Sequence, residues 1–342
     1  MKTFIKKVDF PVYGLDFTFD DRIVAVGGGG TGKSGVKNKL VAFPVNDEEK
    51  ITLELPDQKD CPMSVSCHPK LPLFATGIND EANVIERGEN QSCHVFELGS
   101  STITPVNKTS ASTTRNVDEY QKVTRFSRSG KYLVTGFTDG KVTVLKMPDL
   151  KLAFPPLRFN EVQDVDVDIE EEYLAVATPK ALIILSLEDG AITQVIDSPK
   201  LNKKTECEFR SCRYSSKDRL YAVVNPKSRA HGFICVWELR KNKQRRYPVT
   251  QVKTSSVCRK SITSFSVNPT GDLLAYASTD LSIGLVDAKT LTPTIQVQKA
   301  HGFAITSLAF SQSGKYLASA GADTRCRIML LPDDVKTLSG GS

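Results

Sequence analysis

One short pattern recurs seven times along the 342 residues, and it constrains the fold more than anything else in the chain. Phe310-Ser-Gln-Ser-Gly-Lys-Tyr-Leu-Ala-Ser319 nearly repeats Phe126-Ser-Arg-Ser-Gly-Lys-Tyr-Leu-Val-Thr135, and Val267-Asn-Pro-Thr-Gly-Asp-Leu-Leu-Ala275 has the same shape. Weaker copies begin at Phe17, Cys67, Val167 and Tyr214. Each copy is an apolar-alternating strand, a polar turn and a second apolar strand ending in small residues. The anchors are 50, 59, 41, 47, 53 and 43 residues apart, which is room for four short strands per unit. Helical periodicity is nearly absent between them, so helix-pair solenoids are excluded.

Seven four-stranded units predict an all-β, seven-bladed β-propeller over residues 1–335, with 336–342 as a short tail. Third strands are expected at Lys141–Lys146, Ala181–Leu187, Phe233–Leu239, Ser282–Asp287 and Cys326–Leu331. The last unit lacks an outer strand, and Thr3–Val8 is expected to supply it and remove the open edge. Trp237-Glu238, Val286-Asp287 and Ala300-His301 stand where a WD repeat places its Trp-Asp and Gly-His pairs. His301 reads as structural. Asn79–Ser92 and Gly99–Glu119 read as surface loops inserted into the second unit.

Other features bound the function. No apolar run approaches the roughly 20 residues that a membrane helix needs, and Lys2, Lys6, Lys7 and Asp9 leave no signal-peptide core. The eight cysteines include no C-x-x-C pair, which suits reduced thiols in a cytosolic compartment. The sequons at Asn90 and Asn107 are then never glycosylated. A net charge of +6 is too weak to argue for nucleic acid. The basic run Arg240–Arg246 reads as a solvated hairpin loop. The four histidines, 68, 94, 231 and 301, show no metal-ligand spacing with the cysteines.

Gly27-Gly-Gly-Gly-Thr31-Gly32-Lys33-Ser34 satisfies the Walker A expression. A phosphate loop must also open a helix, whose N-terminal amides hold the phosphates. Here the chain runs through Gly35-Val-Lys-Asn38 into Leu40-Val-Ala-Phe-Pro44, a second strand, so nucleotide binding is not expected. The glycines instead permit positive φ and close backbone approach, aiming carbonyls or amides inward.

Pro11-Val-Tyr-Gly14, Gly27–Gly30 and Lys33-Ser-Gly-Val-Lys-Asn38 together resemble the start of the WD-repeat exchange factors of the Sar small GTPase. Ala300–Thr306 resembles the same family's last blade. The resemblance implies a monomeric propeller at the cytosolic face of the endoplasmic reticulum, catalysing GDP release to start COP-II coat assembly. It implies no covalent chemistry, no organic cofactor and no nucleic-acid partner. Val36, the apolar tip, and Asn38, at the edge of the nucleotide site, are its implied working residues. Gly32, Lys33, Ser34, Gly35, Lys37 and Pro62 are the implied GTPase contacts. Backbone carbonyls of Gly28, Gly29 and Gly30 are implied to hold a potassium ion. Family members continue into a membrane anchor and a lumenal segment, which this chain does not contain. The alternative reading is a passive WD-repeat scaffold, which has no need of the glycine loop.

Overall fold

A computed structural model describes residues 1–32, 34–201, 203–239, 249–333 and 335; the side chains of 239 and 249–252 are also left undescribed. Seven antiparallel sheets follow one another along the chain, each a blade whose first strand is innermost. Blade 1 comprises Val12–Phe17, Arg22–Gly27, Lys39–Pro44 and Ile51–Glu54, and blade 2 comprises Val65–Cys67, Leu73–Gly77, Cys93–Leu98 and Ile103–Thr109. Blade 3 has Gln121–Phe126, Tyr132–Phe137 and Lys141–Lys146, with the short pieces Lys151–Leu152 and Leu157–Arg158 sharing the outer position. Blade 4 runs Asp164–Val167, Tyr173–Ala177, Ala181–Ser186 and Ile192–Asp197. Blade 5 runs Cys207–Tyr214, Arg219–Pro226, Ala230–Leu239 and Val249–Lys260. Blade 6 holds Ile262–Val267, Leu273–Ser278, Ile283–Asp287 and Pro293–Val297, and blade 7 holds Ile305–Phe310, Tyr316–Gly321 and Arg325–Leu330.

All seven repeat anchors fall on the last residue of an innermost strand. The reason is the turn that follows. Four residues past six of the anchors the backbone takes positive φ, at Asp21, Gly130, Glu171, Asp218, Gly271 and Gly314. Glycine adopts that conformation without strain, whereas a carboxylate residue tolerates it at some cost. The weak copies at Phe17, Val167 and Tyr214 therefore keep the turn while losing its signature residue.

Apolar side chains collect between blades, one cluster at each of the seven contacts between neighbours. Innermost strands have no ladder partner on the channel side, so polar side chains from the adjacent blade satisfy them. Asp16 accepts from the Cys67 amide at 2.8 Å, Ser66 Oγ from Phe126 at 3.0 Å and Asp166 from Tyr214 at 2.7 Å. Thr306 Oγ1 donates to the Val12 carbonyl at 2.6 Å and so joins the ends of the ring.

Thr3–Lys7 pairs antiparallel with Arg325–Leu330 over five residues and completes blade 7. Phe4 and Val8 also pack against the cluster between blades 7 and 1. Removing Met1–Val8 would expose an edge strand and open that cluster, so the truncated chain is expected to melt at least ~5 °C lower. Unchanged melting in a calorimetric scan would mean that the ring closes elsewhere.

The segment Gly99–Glu119 corrects an expectation. Its middle, Ile103–Thr109, is the outer strand of blade 2, paired with Cys93–Leu98. Five exposed residues in that strand hide the apolar alternation that would have marked it. Asn79–Ser92 is a connection as expected, but it holds a short helix, Ala82–Glu86. Buried Asn90 ties its ends together, donating to Asn79 Oδ1 at 2.9 Å and accepting from the Asp80 amide at 3.0 Å. His301 is buried, with Nδ1 3.0 Å from Asp323 and Nε2 2.7 Å from Ser319 Oγ, a structural link between strands. The 336–342 tail lies outside the described residues.

Candidate functional site

The glycine loop joins the second and third strands of blade 1, and the Gly27–Lys39 pair closes its neck. Each early glycine sits where a side chain would collide with the returning arm or the entering chain. A Cβ on Gly27 would lie 1.9 Å from the Pro11 carbonyl oxygen, and one on Gly28, at φ +146°, 2.2 Å from Asn38 Oδ1. On Gly29 it would lie 2.1 Å from Ser34 Oγ. Gly32 and Gly35 face open space, and Gly35 at φ +76° makes a bend in the exposed rim. Glycine at the neck thus serves close packing, while at the rim it serves the turn.

Asn38 clamps the two arms. It is only 5% exposed; Oδ1 accepts from the Gly30 amide at 2.9 Å, and Nδ2 donates to the Gly30 carbonyl at 3.2 Å and the Lys59 carbonyl at 3.1 Å. Its own carbonyl accepts from the Leu55 amide at 2.8 Å. The Asn38 amide group is thus engaged within the chain, where it steadies the loop. Val36 departs from its expected place. It is half-buried and packs on the cluster between blades 7 and 1, rather than standing bare at the tip.

The rim is left to Thr31, Gly32, Ser34, Gly35 and Lys37, all exposed. Ser34 Oγ accepts from the Val36 amide at 3.2 Å and donates to the Gly29 carbonyl at 3.5 Å. Lys37 Nζ lies 2.6 Å from Asp57, which raises its pKa through the hydrogen bond and the carboxylate charge. Pro62 is buried beside Cys61, whose Sγ lies 3.6 Å from the Gly28 carbonyl. Burial, and then Asp60, push the Cys61 thiol up to about 12, so it stays protonated as a donor. Lys33 and the basic run Arg240–Arg246 lie outside the described residues.

No helix follows Ser34; the next element is the strand Lys39–Pro44. The helix N-terminus that a Walker A loop uses to hold phosphate is not built here. Oxygen atoms crowd the neck instead. A Cβ on Gly29 would lie 2.7 Å from the Val36 carbonyl oxygen, one on Gly28 2.7 Å from that of Lys37, and one on Gly30 3.6 Å from Asp60 Oδ1. Among the described residues the carbonyls of Gly28, Gly29 and Gly30 accept from Cys61 Sγ at 3.6 Å, Ser34 Oγ at 3.5 Å and Asn38 Nδ2 at 3.2 Å. A set of neutral carbonyls near one carboxylate is chemically suited to a hard cation. Lys59, Asp60 and Cys61 escaped sequence reasoning because they belong to the next blade's entry and meet the loop only through the fold.

Repeat architecture and loop together define a WD-repeat β-propeller. The WD domain, G-beta repeat family matches residues 292–328, which span the outer strand of blade 6 and nearly all of blade 7's own strands. Over nearly its whole length the chain is similar to the guanine nucleotide-exchange factor SEC12 of Candida glabrata, 23% identical over 97% of this chain and 73% of that protein. It is equally similar, at 23%, to the putative guanine nucleotide-exchange factor SED4 of the same organism, where it covers 97% of this chain but only 32% of the relative. Among solved structures, a chain of the mitotic checkpoint complex superposes with a TM-score of 0.71 over 96% of this chain and 94% of its own length. At 12% identity that likeness concerns the fold alone.

Proposed function

We propose that this chain is a guanine-nucleotide exchange factor for a small GTPase of the Sar type, acting through the rim of the glycine loop. The observation that carries the reading is the clamped loop itself. Asn38 fixes a neck that only glycines can enter, and the fixed neck projects a polar rim away from a rigid ring. Similarity to SEC12 over nearly the whole chain supports the same reading. A passive scaffold gains nothing from such a loop, and no observation favours one.

The chemistry of exchange asks for no acid, base or nucleophile. A GTPase holds GDP through phosphate contacts and Mg²⁺, and the catalyst has only to bind the empty form more tightly than the loaded one. Each tenfold weakening of nucleotide affinity requires about 1.4 kcal/mol of that difference. A pre-ordered loop pays little conformational entropy on docking, so more of its contact energy is left to displace the GTPase's nucleotide-holding segments. Thr31, Gly32, Ser34, Gly35 and Lys37 are the contact rim in this reading, with Lys33 between them in sequence. Asn38, Val36 and Pro62 act behind it by holding the loop in place. A potassium ion on the carbonyls of Gly28, Gly29 and Gly30 would stiffen the neck further. By the same resemblance, the propeller works at the cytosolic face of the endoplasmic reticulum to start COP-II assembly.

The direct test is release of fluorescent GDP from a Sar-type GTPase with and without the chain. Acceleration that grows with chain concentration is expected, and it should be greater in potassium than in lithium. An unaltered release rate at saturating chain would overturn the exchange reading. Acceleration that ignores the cation would remove only the potassium.

A further inference from the structure

We propose that the central channel of the ring binds a small phosphate-class anion with two or more negative charges, held by Lys122 and Arg210. The channel encloses a cavity of about 350 Å³ lined by the innermost strands of all the blades. That volume lies at the low end of small-molecule pockets and is far too small for a folded partner. Lys122 stands near the start of its strand and Gln163 immediately before the next blade's. Because second strands run antiparallel to innermost ones, the loop that leaves Gly27 lies at this same end of the ring. The Gly28 amide in fact donates to the Pro11 carbonyl, one residue before the innermost strand of blade 1.

Charge in this cavity does not balance. Lys122, Arg125, Arg210 and Arg213 line it against the single carboxylate of Asp164. Both oxygens of Asp164 are taken: Arg125 donates to Oδ1 at 2.8 Å, while Arg213 and the Cys212 amide donate to Oδ2. Asp16 and Asp166, behind the wall, accept from backbone amides of neighbouring blades. Lys122 is left with a neutral partner, Gln163 Oε1 at 2.7 Å. Among the described residues the Arg210 side chain makes no hydrogen bond or ion pair; Asp164 and Tyr120 favour its charge from a distance, and Lys122 opposes it.

Two cations with no ion-pair partner among the described residues oppose each other in a confined space and lose hydration. Burial, and then Arg210, lower the Lys122 pKa despite Glu161 and Asp164; burial likewise lowers that of Arg210. An anion between them would relieve both costs. The planar guanidinium of Arg210 favours phosphate oxygens, which it can grip in a fork, and Lys122 adds a point charge.

Titration calorimetry with pyrophosphate and with inositol hexakisphosphate tests the site in the chain alone, so the result does not depend on the exchange reading. A single saturable site is expected for at least one probe, with a rise in melting temperature. Lys122→Gln with Arg210→Gln should weaken binding at least about a hundredfold. This double variant should melt no lower than wild type in the absence of anion, since it loses two mutually repelling, partly desolvated charges. Arg210→Lys, which keeps the charge without the fork, should weaken binding about tenfold and guards against misfolding of the double variant. Vesicles carrying phosphatidylinositol bisphosphate distinguish a lipid headgroup from a free anion; retention by them that the double variant loses also supports the site. No saturable binding of any probe, or wild-type affinity in the double variant, overturns the proposal.

Discussion

Asn38→Ala is expected to slow catalysed GDP release at least about tenfold, a loss of about 1.4 kcal/mol in the step that matters. The substitution orphans the Gly30 amide and frees the carbonyls of Gly30 and Lys59, contacts made inside a buried neck. An unsatisfied buried group costs about 1–3 kcal/mol, enough to let the loop sample many conformations. Opening should stay local, so global melting falls only slightly while protease cuts the loop sooner. Asn38→Asp separates clamping from direct contact with nucleotide. It keeps the acceptor for the Gly30 amide but sets a carboxylate against two carbonyls, so it should lose as much activity as alanine. Wild-type exchange in both variants would remove the loop from the mechanism.

Asp164→Asn should give the largest loss of stability, about 3–5 kcal/mol, because it leaves two partly buried guanidinium groups facing an amide. The wild-type pH dependence should report the same group. Burial alone would raise the Asp164 pKa, but Arg125 and Arg213 outweigh it and hold the carboxyl below its ordinary value of 3.8. Its stabilisation is therefore complete above the unfolded pKa near 3.8 and lost as pH falls below it. Asp16 has the opposite sign. Burial raises it to about 6, so its contribution is present below the unfolded value and lost as pH rises through 6. Chemical denaturation across pH should show a steep acid limb in wild type that flattens in Asp164→Asn. Parallel limbs would mean that Asp164 is not the group that fails.

Blade number and order were legible in the sequence because a strand followed by a tight turn leaves a local record. Phe126–Thr135 and Phe310–Ser319 carry that record in full, and the degraded copies keep the geometry at Asp21, Glu171 and Asp218. Closure by the N-terminal strand was legible from simple counting, since the last unit was one strand short. Ile103–Thr109 was not, because an outer strand facing solvent on both sides has no alternation to show. The glycine loop could be found by composition, yet the burial of Asn38 and Val36 could not. Their partners are Lys59 in the entry to blade 2 and the cluster at the seam between the last and first blades. Lys122 and Arg210 belong to different blades, and no spacing along the chain predicts that they face one cavity.

Val36 at the root of the loop and Phe4 and Val8 of the closing strand rest on the same apolar cluster. Latch and lever thus share a hinge pin. A tug on the amino terminus that peeled Thr3–Lys7 from its neighbour would first slacken the seam, and the loop standing on that seam would lose its footing before any other blade was disturbed.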